Sequence, residues 1–447
     1  MPSKPINFFK ANKIITLVFI ITLAIWLWQR STGFGWDFSS YSLNAEYFYG
    51  TGEYLEIMRP PLASVVMFPS GLNRALGEYF YIVFVSLLFL YSTLKLADTL
   101  KLNRTAFYIF SLTPFSIALG FTVGTELFSL SLLNLSVAFL YTKKSGIFLG
   151  LLALLRYTNI FYLPILLFQK NIKKIILSLI VFSLLFSGWL VYNWYLTGDP
   201  LTSLKDFYAL NIKYRDYIPL TMPKVEDILF AFNFTIPFLI LGIYSRIKKI
   251  GKTDVLMFVI MAITILVFIR TPIKEPRYLY SLVLPAAYFA TLSLKKIKFK
   301  YIVPTFLVIT LITTAFLVPA MKLIDPSNYK EIVSKVNCAA KSNIWVALNY
   351  YGLSTDSPSR GLQVYKDIED GYRVIIQYGP EGDDVYKDIQ NLSIIENTTS
   401  YMIIGDKTKC KAIGTVTHRY LKNLNEYLNS TYNYTVPTDF FGVFLGK

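Results

Sequence analysis

Charged side chains are scarce in the apolar part of this sequence, and those without an obvious structural reason fall in a few connecting segments. The first, residues 29–77, carries Gly35-Trp36-Asp37-Phe38-Ser39-Ser40-Tyr41, then Glu46, Glu53 and Glu56, then Arg59-Pro60-Pro61-Leu62. Arg156 interrupts an apolar run as Leu155-Arg156-Tyr157-Thr158-Asn159. Asp199 lies in Thr197-Gly198-Asp199-Pro200-Leu201, and Glu275-Pro276-Arg277-Tyr278 precedes a late apolar stretch. Carboxylates and arginines at a membrane surface suit proton abstraction next to a bound anion. A carboxylate can take the proton of a hydroxyl as general base. A guanidinium grips a phosphate with two hydrogen bonds and stabilises the charge of a leaving group.

Each of these residues also has a plainer explanation. Asp37 is a favoured helix N-cap, Arg59 and Arg277 could anchor their segments at lipid headgroups, and Glu275 could serve only as the partner of Arg277. Glu46 and Glu56 are expected to be solvated, and Asp199 sits in an ordinary turn sequence.

The elements that must position these groups are membrane spans. Of 447 residues, 54% are hydrophobic and only 16% charged, against roughly 25% charged in a soluble domain. Eleven apolar windows follow one another, at 14–28, 78–95, 105–121, 126–141, 146–155, 159–169, 174–195, 228–245, 254–270, 277–294 and 301–320. About 18 apolar residues cross a bilayer core. The split of 146–169 into two short or tilted segments keeps Arg156 from the bilayer centre, where a charge costs about 2.5–3.5 kcal/mol. The first window has no small-x-small cleavage site after it and is expected to be retained.

The net charge of +16 follows the same division. Residues 325–447 hold 13 Lys and Arg against 14 Asp and Glu, so the basic excess belongs to 1–324. It lies in short loops at Lys95/Lys101/Arg104, Lys143/Lys144, Lys170/Lys173/Lys174, Arg246/Lys248/Lys249/Lys252 and Lys295/Lys296/Lys298/Lys300. All are on one side if the N-terminus is cytoplasmic. The positive-inside rule then puts the loops 29–77, 196–227 and 270–277, and the C-terminal region, on the outer face. No basic stripe marks the C-terminal region, which excludes nucleic-acid binding. Sequons at Asn391, Asn397, Asn429 and Asn433 fit an external location.

Residues 325–447 alternate between helix and strand patterns, with a helix at 328–340, strands at 344–348, 373–378, 401–405 and 440–445, and helices at 383–390 and near 416–429. That pattern predicts a small α/β domain with a largely parallel sheet. The two cysteines, Cys338 and Cys410, both lie there. They either pair in an oxidising compartment or remain as two buried thiols. His418 is the only histidine and is read as structural. The expected whole is a polytopic α-helical membrane protein of about eleven spans (1–324) with an external α/β domain (325–447).

The order and common side of Asp37, Arg59-Pro60-Pro61-Leu62, Arg156-Tyr157-Thr158-Asn159, Asn193 with Thr197-Gly198-Asp199-Pro200-Leu201, and Glu275-Pro276-Arg277-Tyr278-Leu279 resemble the GT-C-type membrane glycosyltransferases. That superfamily includes the protein O-mannosyltransferases and lipid A aminoarabinose transferases. The resemblance covers most of 1–320. It implies inverting transfer of a sugar from a polyprenyl-phosphate carrier to an acceptor hydroxyl on a lipid, glycan or protein. Asp37 is then the base, Arg59, Arg156 and Arg277 hold the donor phosphate or carrier, and Tyr41, Glu46, Glu275 and Tyr278 support the substrate. Where many protein O-mannosyltransferases carry Asp-Glu, this chain has Asp37-Phe38. Asp37 and Glu46 have the oxygen ligands a divalent cation would use, but no metal or other cofactor is assigned. Two other function classes make different demands on the sequence. A secondary transporter would show repeats and discontinuous polar helices near the midplane, and no convincing repeat is present. A membrane-anchored binding module would need far fewer spans.

Overall fold

A computed structural model describes residues 12–122, 124–211, 224–271, 274–294, 299–320, 326–357, 363–378 and 393–419, with 422 and 425. It divides into two compact units, one comprising Met1–Thr32, Tyr79–Leu190 and Ile218–Leu323 and the other Gly33–Glu78, Val191–Tyr217 and Ile324–Lys447. The segments 33–78 and 191–217 group with the C-terminal region in the second unit.

The first unit is helical. Among the described residues, six helices are long and apolar enough to cross a bilayer: Lys13–Ser31, Arg74–Thr99, Ile172–Thr197, Val225–Arg246 (which includes a short 3-10 turn), Lys252–Arg270 and Tyr301–Pro319. The other expected spans are shorter or broken. The window 105–121 is split into Arg104–Phe110 and Pro114–Leu119, because Thr113 starts a new helix by accepting the Ser116 N–H ahead of Pro114. Glu126–Ala138 and Lys144–Leu155 are short apolar helices, and Tyr157–Phe168 is a 3-10 helix containing Pro164. The window 277–294 begins as a 3-10 turn, Pro276–Leu282, and continues as the helix Val283–Ser293.

Small residues set the closest approaches in this unit, as expected where lipid is as apolar as leucine. A Cβ on Gly242 would run into the backbone carbonyl of Phe289, and one on Gly146 into that of Ser178. Glycine at these two positions is what lets Ile236–Arg246 pack on Val283–Ser293, and Lys144–Leu155 on Ile172–Thr197.

Among the described residues, the second unit contains seven strands. β1 (Tyr54–Glu56) pairs in parallel with β7 (Val416–His418). β2 (Ala340–Ser342), β3 (Thr355–Asp356), β4 (Arg373–Gln377), β5 (Ile394–Asn397) and β6 (Tyr401–Ile404) form a sheet of order β3-β2-β4-β6-β5. The sheet is mixed rather than largely parallel: β2 pairs in parallel with β3 and β4, while β6 is antiparallel to β4 and β5. Only residues 398–400 join β5 to β6, too few for a parallel crossover.

The sheet buries both faces by period-2 alternation. Ile375, Tyr401 and Ile403 share one cluster with Phe34, Leu43 and Tyr54 of the first loop, while Val374, Ile376, Met402 and Ile404 meet Val364 on the other side. The expected strand at 344–348 is instead the helix Trp345–Tyr350. A short apolar run does not distinguish the two by periodicity, and here Val346, Ala347 and Leu348 are all buried in the cluster shared with the first loop. The expected helix at 328–340 is Ser327–Lys335, followed by β2. That expected near 416–429 begins as β7. The helix at 383–390, the strand at 440–445 and the sequons at Asn391, Asn429 and Asn433 lie outside the described residues. Cys338 and Cys410 are joined by a disulfide with a Cα–Cα distance of 5.3 Å.

Candidate active site

Two groups of charged side chains are assembled, one in each unit. In the second unit, the helix Trp36–Phe48 starts after Gly35, which holds the N-cap position and leaves Asp37 in the first turn. A carboxylate there is favoured by the helix dipole. Asp37 reaches a partner: its Oδ1 lies 2.7 Å from Nη1 of Arg59. The Nε of Arg59 donates to Oε2 of Glu56 at 2.8 Å, and the guanidinium stands 5.8 Å from the ring centroid of Tyr41. Burial opposes the charge on Arg59, but Asp37 and then Glu56 outweigh it and hold its pKa well above the ordinary value.

The two carboxylates differ in access. The Asp37 side chain keeps 19% of its surface, whereas Glu56 keeps none. The Oε1 of Glu56 is buried with no hydrogen-bond partner among the described residues. Glu56 was expected to be solvated, and the structure corrects that. β1 is buried along its length, and Asn44 grips Glu56 through both backbone groups, at 2.8 Å from its N–H and 3.0 Å to its carbonyl.

Glu46 is not solvated either. It takes both Nε and Nη2 of Arg74, at 2.8 and 2.7 Å, and Arg74 stacks 4.6 Å from the ring of Tyr350. Glu46 thus belongs to a separate tie and not to the Asp37–Arg59–Glu56 group.

In the first unit, helix Lys144–Leu155 ends at Arg156, whose extended backbone separates it from the 3-10 helix Tyr157–Phe168. The Nη1 of Arg156 donates to Oε1 of Glu126 at 2.8 Å, and Glu126 is completely buried. Glu126 opens helix Glu126–Ala138, where its other oxygen accepts the Thr125 N–H at 3.2 Å. Arg277 follows Pro276 at the start of a 3-10 turn and pairs with Glu275. Tyr278 receives both arginines on its ring, Arg156 at 5.8 Å and Arg277 at 5.3 Å from the centroid. Cation–π contact lets two like charges sit close in a partly apolar setting.

The pair lines a cavity of about 420 Å³, counting its open mouth, together with Glu126, Ser129, Thr158, Asn159, Tyr162, Thr264, Val267, Tyr278, Tyr280 and Ser281. Its walls are fixed by further hydrogen bonds. Asn159 donates to Ser129 Oγ at 3.0 Å, and Tyr162 and Thr264 share one at 2.8 Å. A cavity with two guanidiniums and several hydroxyl and amide groups has the chemistry to hold a phosphate.

The sequence grouped its candidate residues as one site, whereas the structure assembles Arg156, Arg277, Tyr278 and Glu275 in one unit and Asp37, Tyr41 and Arg59 in the other. The sequence missed Glu126 and misread Glu56. The signal for Glu126 was available: an acidic residue opening an apolar segment, with an arginine in a neighbouring break, is a pair to be matched.

No family model matches the chain, and no curated protein matches it. Solved structures do match. The crystal structure of ArnT from Cupriavidus metallidurans bound to undecaprenyl phosphate is similar with a TM-score of 0.63 at 10% sequence identity, covering 88% of this chain and 98% of that one. The apo crystal structure of the same ArnT gives 0.62 at 9% identity with the same coverage. Identity this low conveys the fold and not the chemistry. The chain therefore has a fold similar to that of ArnT, a polytopic helical membrane architecture with sheet elements in its C-terminal region.

Proposed function

We propose that this chain is a membrane glycosyltransferase that moves a sugar from a polyprenyl-phosphate carrier to an acceptor hydroxyl, with Asp37 as general base. The observation that carries this is the convergence of Arg156 and Arg277 on Tyr278 in one cavity of the helical unit. It is supported by a fold similar to that of a protein crystallised with undecaprenyl phosphate.

The donor is a phosphodiester with one negative charge. The acceptor oxygen attacks the anomeric carbon on the face opposite the phosphate, the bond from that carbon to the phosphate oxygen breaks, and its electron pair stays on the phosphate. The acceptor proton passes to Asp37, and the anomeric configuration inverts. The departing polyprenyl phosphate gains a second negative charge, which Arg156 and Arg277 offset. Arg59 is ion-paired with Asp37 and is assigned to the donor as a third cation. Tyr41 and Tyr278 supply ring faces to the arginines, Glu275 orients Arg277, and Glu46 supports the loop through Arg74. These arginines provide the positive charge without a metal or cofactor. The basic short loops support a cytoplasmic N-terminus, with the reaction and the α/β region on the outer face of the cell membrane. Lipid, glycan and protein hydroxyls are all suitable acceptors.

The test is transfer by the purified full-length protein in lipid nanodiscs, from a panel of polyprenyl-phosphate sugars to membrane acceptors, with Asp37→Asn in parallel. Transfer lost by on the order of 10²- to 10⁴-fold in Asp37→Asn, with carrier binding kept, supports the assignment. No carrier-dependent turnover with any donor overturns it, and solute uptake into proteoliposomes would then favour a transporter.

A further inference from the structure

We propose that His418 is a positioning residue for the Asp37–Arg59–Glu56 group, holding it in place through the pairing of β7 with β1. This rests on the function proposed above for its catalytic consequence, though not for its structural one.

The single histidine is almost wholly buried, at 1% exposure. Its Nδ1 meets Oδ1 of Asp356 at 2.5 Å, and its ring stacks on Trp345 with centroids 5.1 Å apart and planes 23° from parallel. Asp356 ends β3, at the edge of the five-stranded sheet. The His418–Asp356 pair therefore fastens the end of β7 to that sheet.

β7 in turn carries β1. Tyr54 lies opposite Val416, Leu55 opposite Thr417 and Glu56 opposite His418, and the Val416 N–H donates to the Glu53 carbonyl at 2.7 Å. A three-residue strand has few bonds of its own and depends on its neighbour for its position. From Glu56 the chain of contacts continues in two directions. One runs through Arg59 to Asp37, and the other through Asn44 into the helix that bears Asp37.

Charge argues the same way. His418 is faced by Asp356 from β3, by Glu56 from β1 and by Asp206 from the helix Thr202–Asn211, and Tyr54 of β1 also senses Glu56 and Asp356. Lys341 of β2 lies 3.4 Å from Asp356, and Arg419 lies 3.5 Å from Asp206. Among the described residues, Lys341 also faces Asp367, and Arg419 also faces Asp199. Burial opposes the imidazolium, but Asp356 and then Glu56 and Asp206 outweigh it and raise the His418 pKa. A neutral His418 removes the positive charge that Asp356 and the buried Glu56 face.

The experiment uses the full-length protein in nanodiscs and compares His418→Ala and His418→Asn with the unaltered chain. The asparagine amide replaces the Nδ1 donor but does not titrate. Hydrogen exchange is followed over 53–59, and transfer is followed against pH. The expected results are exchange about tenfold faster over 53–59 in His418→Ala, a fall in kcat with little change in donor KM, partial rescue by His418→Asn, and loss of the alkaline limb of the kcat profile in His418→Asn. Unchanged exchange over 53–59 overturns the proposal whether or not transfer is found. An unchanged alkaline limb in His418→Asn also overturns it. Faster exchange in a protein whose unaltered form transfers nothing upholds the coupling and removes the proposed function.

Discussion

Glu56, a carboxylate with no exposed surface, holds the Nε of Arg59 at 2.8 Å and so decides which way that guanidinium faces Asp37. Glu56→Gln keeps the shape and removes the charge. On the function proposed above, Arg59 is then expected to turn toward Asp37 and away from the donor. Transfer is expected to fall on the order of 10- to 100-fold, since small misplacements of a reacting group cost about that much. Steady-state kinetics with a fixed acceptor checks this, and an unchanged kcat/KM would mean that Arg59 does not depend on Glu56.

The Arg156–Glu126 pair makes a different prediction, one of stability. Glu126 is completely buried, while the Arg156 side chain keeps 18% of its surface. Glu126→Ala takes this partner from a partly exposed guanidinium, a change that costs less than the roughly 3–5 kcal/mol of a fully buried pair that loses one member. The thermal midpoint of the solubilised protein should drop by several degrees. Arg156→Lys keeps the charge and loses the fork, so it should weaken carrier binding more than it lowers the midpoint.

Stability should depend on pH through His418 and Asp356. Burial works against the Asp356 carboxylate, but His418 and then Lys341 outweigh it and depress its pKa, while that of His418 is raised. The contribution of His418 is complete below its unfolded pKa of about 6.5 and is lost as pH rises through its higher native value. That of Asp356 is complete above about pH 3.9 and is lost as pH falls toward its lower native value. Thermal midpoints measured across pH should therefore peak between these limits, and His418→Asn should flatten the alkaline descent.

Reduction offers a fourth check. Cys338 and Cys410 are 72 residues apart in sequence, and closing a loop of that length stabilises a fold by about 4 kcal/mol in the chain-entropy account. A reducing agent should lower the midpoint of the unfolding transition that includes the α/β region. A midpoint insensitive to complete reduction would show that the crosslink acts only on an already ordered segment.

Much of this architecture was legible because bilayers constrain sequence strongly. Runs such as 174–195 and 254–270 cannot be much else than long apolar helices. The broken windows were harder. Thr113-Pro114 restarts a helix inside an apolar run, and hydropathy does not register the break. Arg156 stood out because a lone arginine in such a run needs a reason, and its position at a helix end supplies one. Glu56 was misread because a sequence does not show that β1 is covered. Its environment comes from Asn44, Arg59 and a strand near the other end of the chain. The run at 344–348 was misassigned for a related reason: Phe34, Leu43 and Tyr54 supply a surrounding apolar surface in which a helix is satisfied.

The pairing of Tyr54 with Val416 also orders events during synthesis. The ribosome delivers the first loop early and its partner strand only after nearly all the helices between them have been made. Contacts so distant in sequence form late, and domains otherwise tend to assemble from the N-terminal end as they emerge. β1 and the charged group it bears must wait, incomplete, through the insertion of every intervening span. A chain that stops short of Val416 would leave its first loop unfinished, even with all of its membrane helices in place.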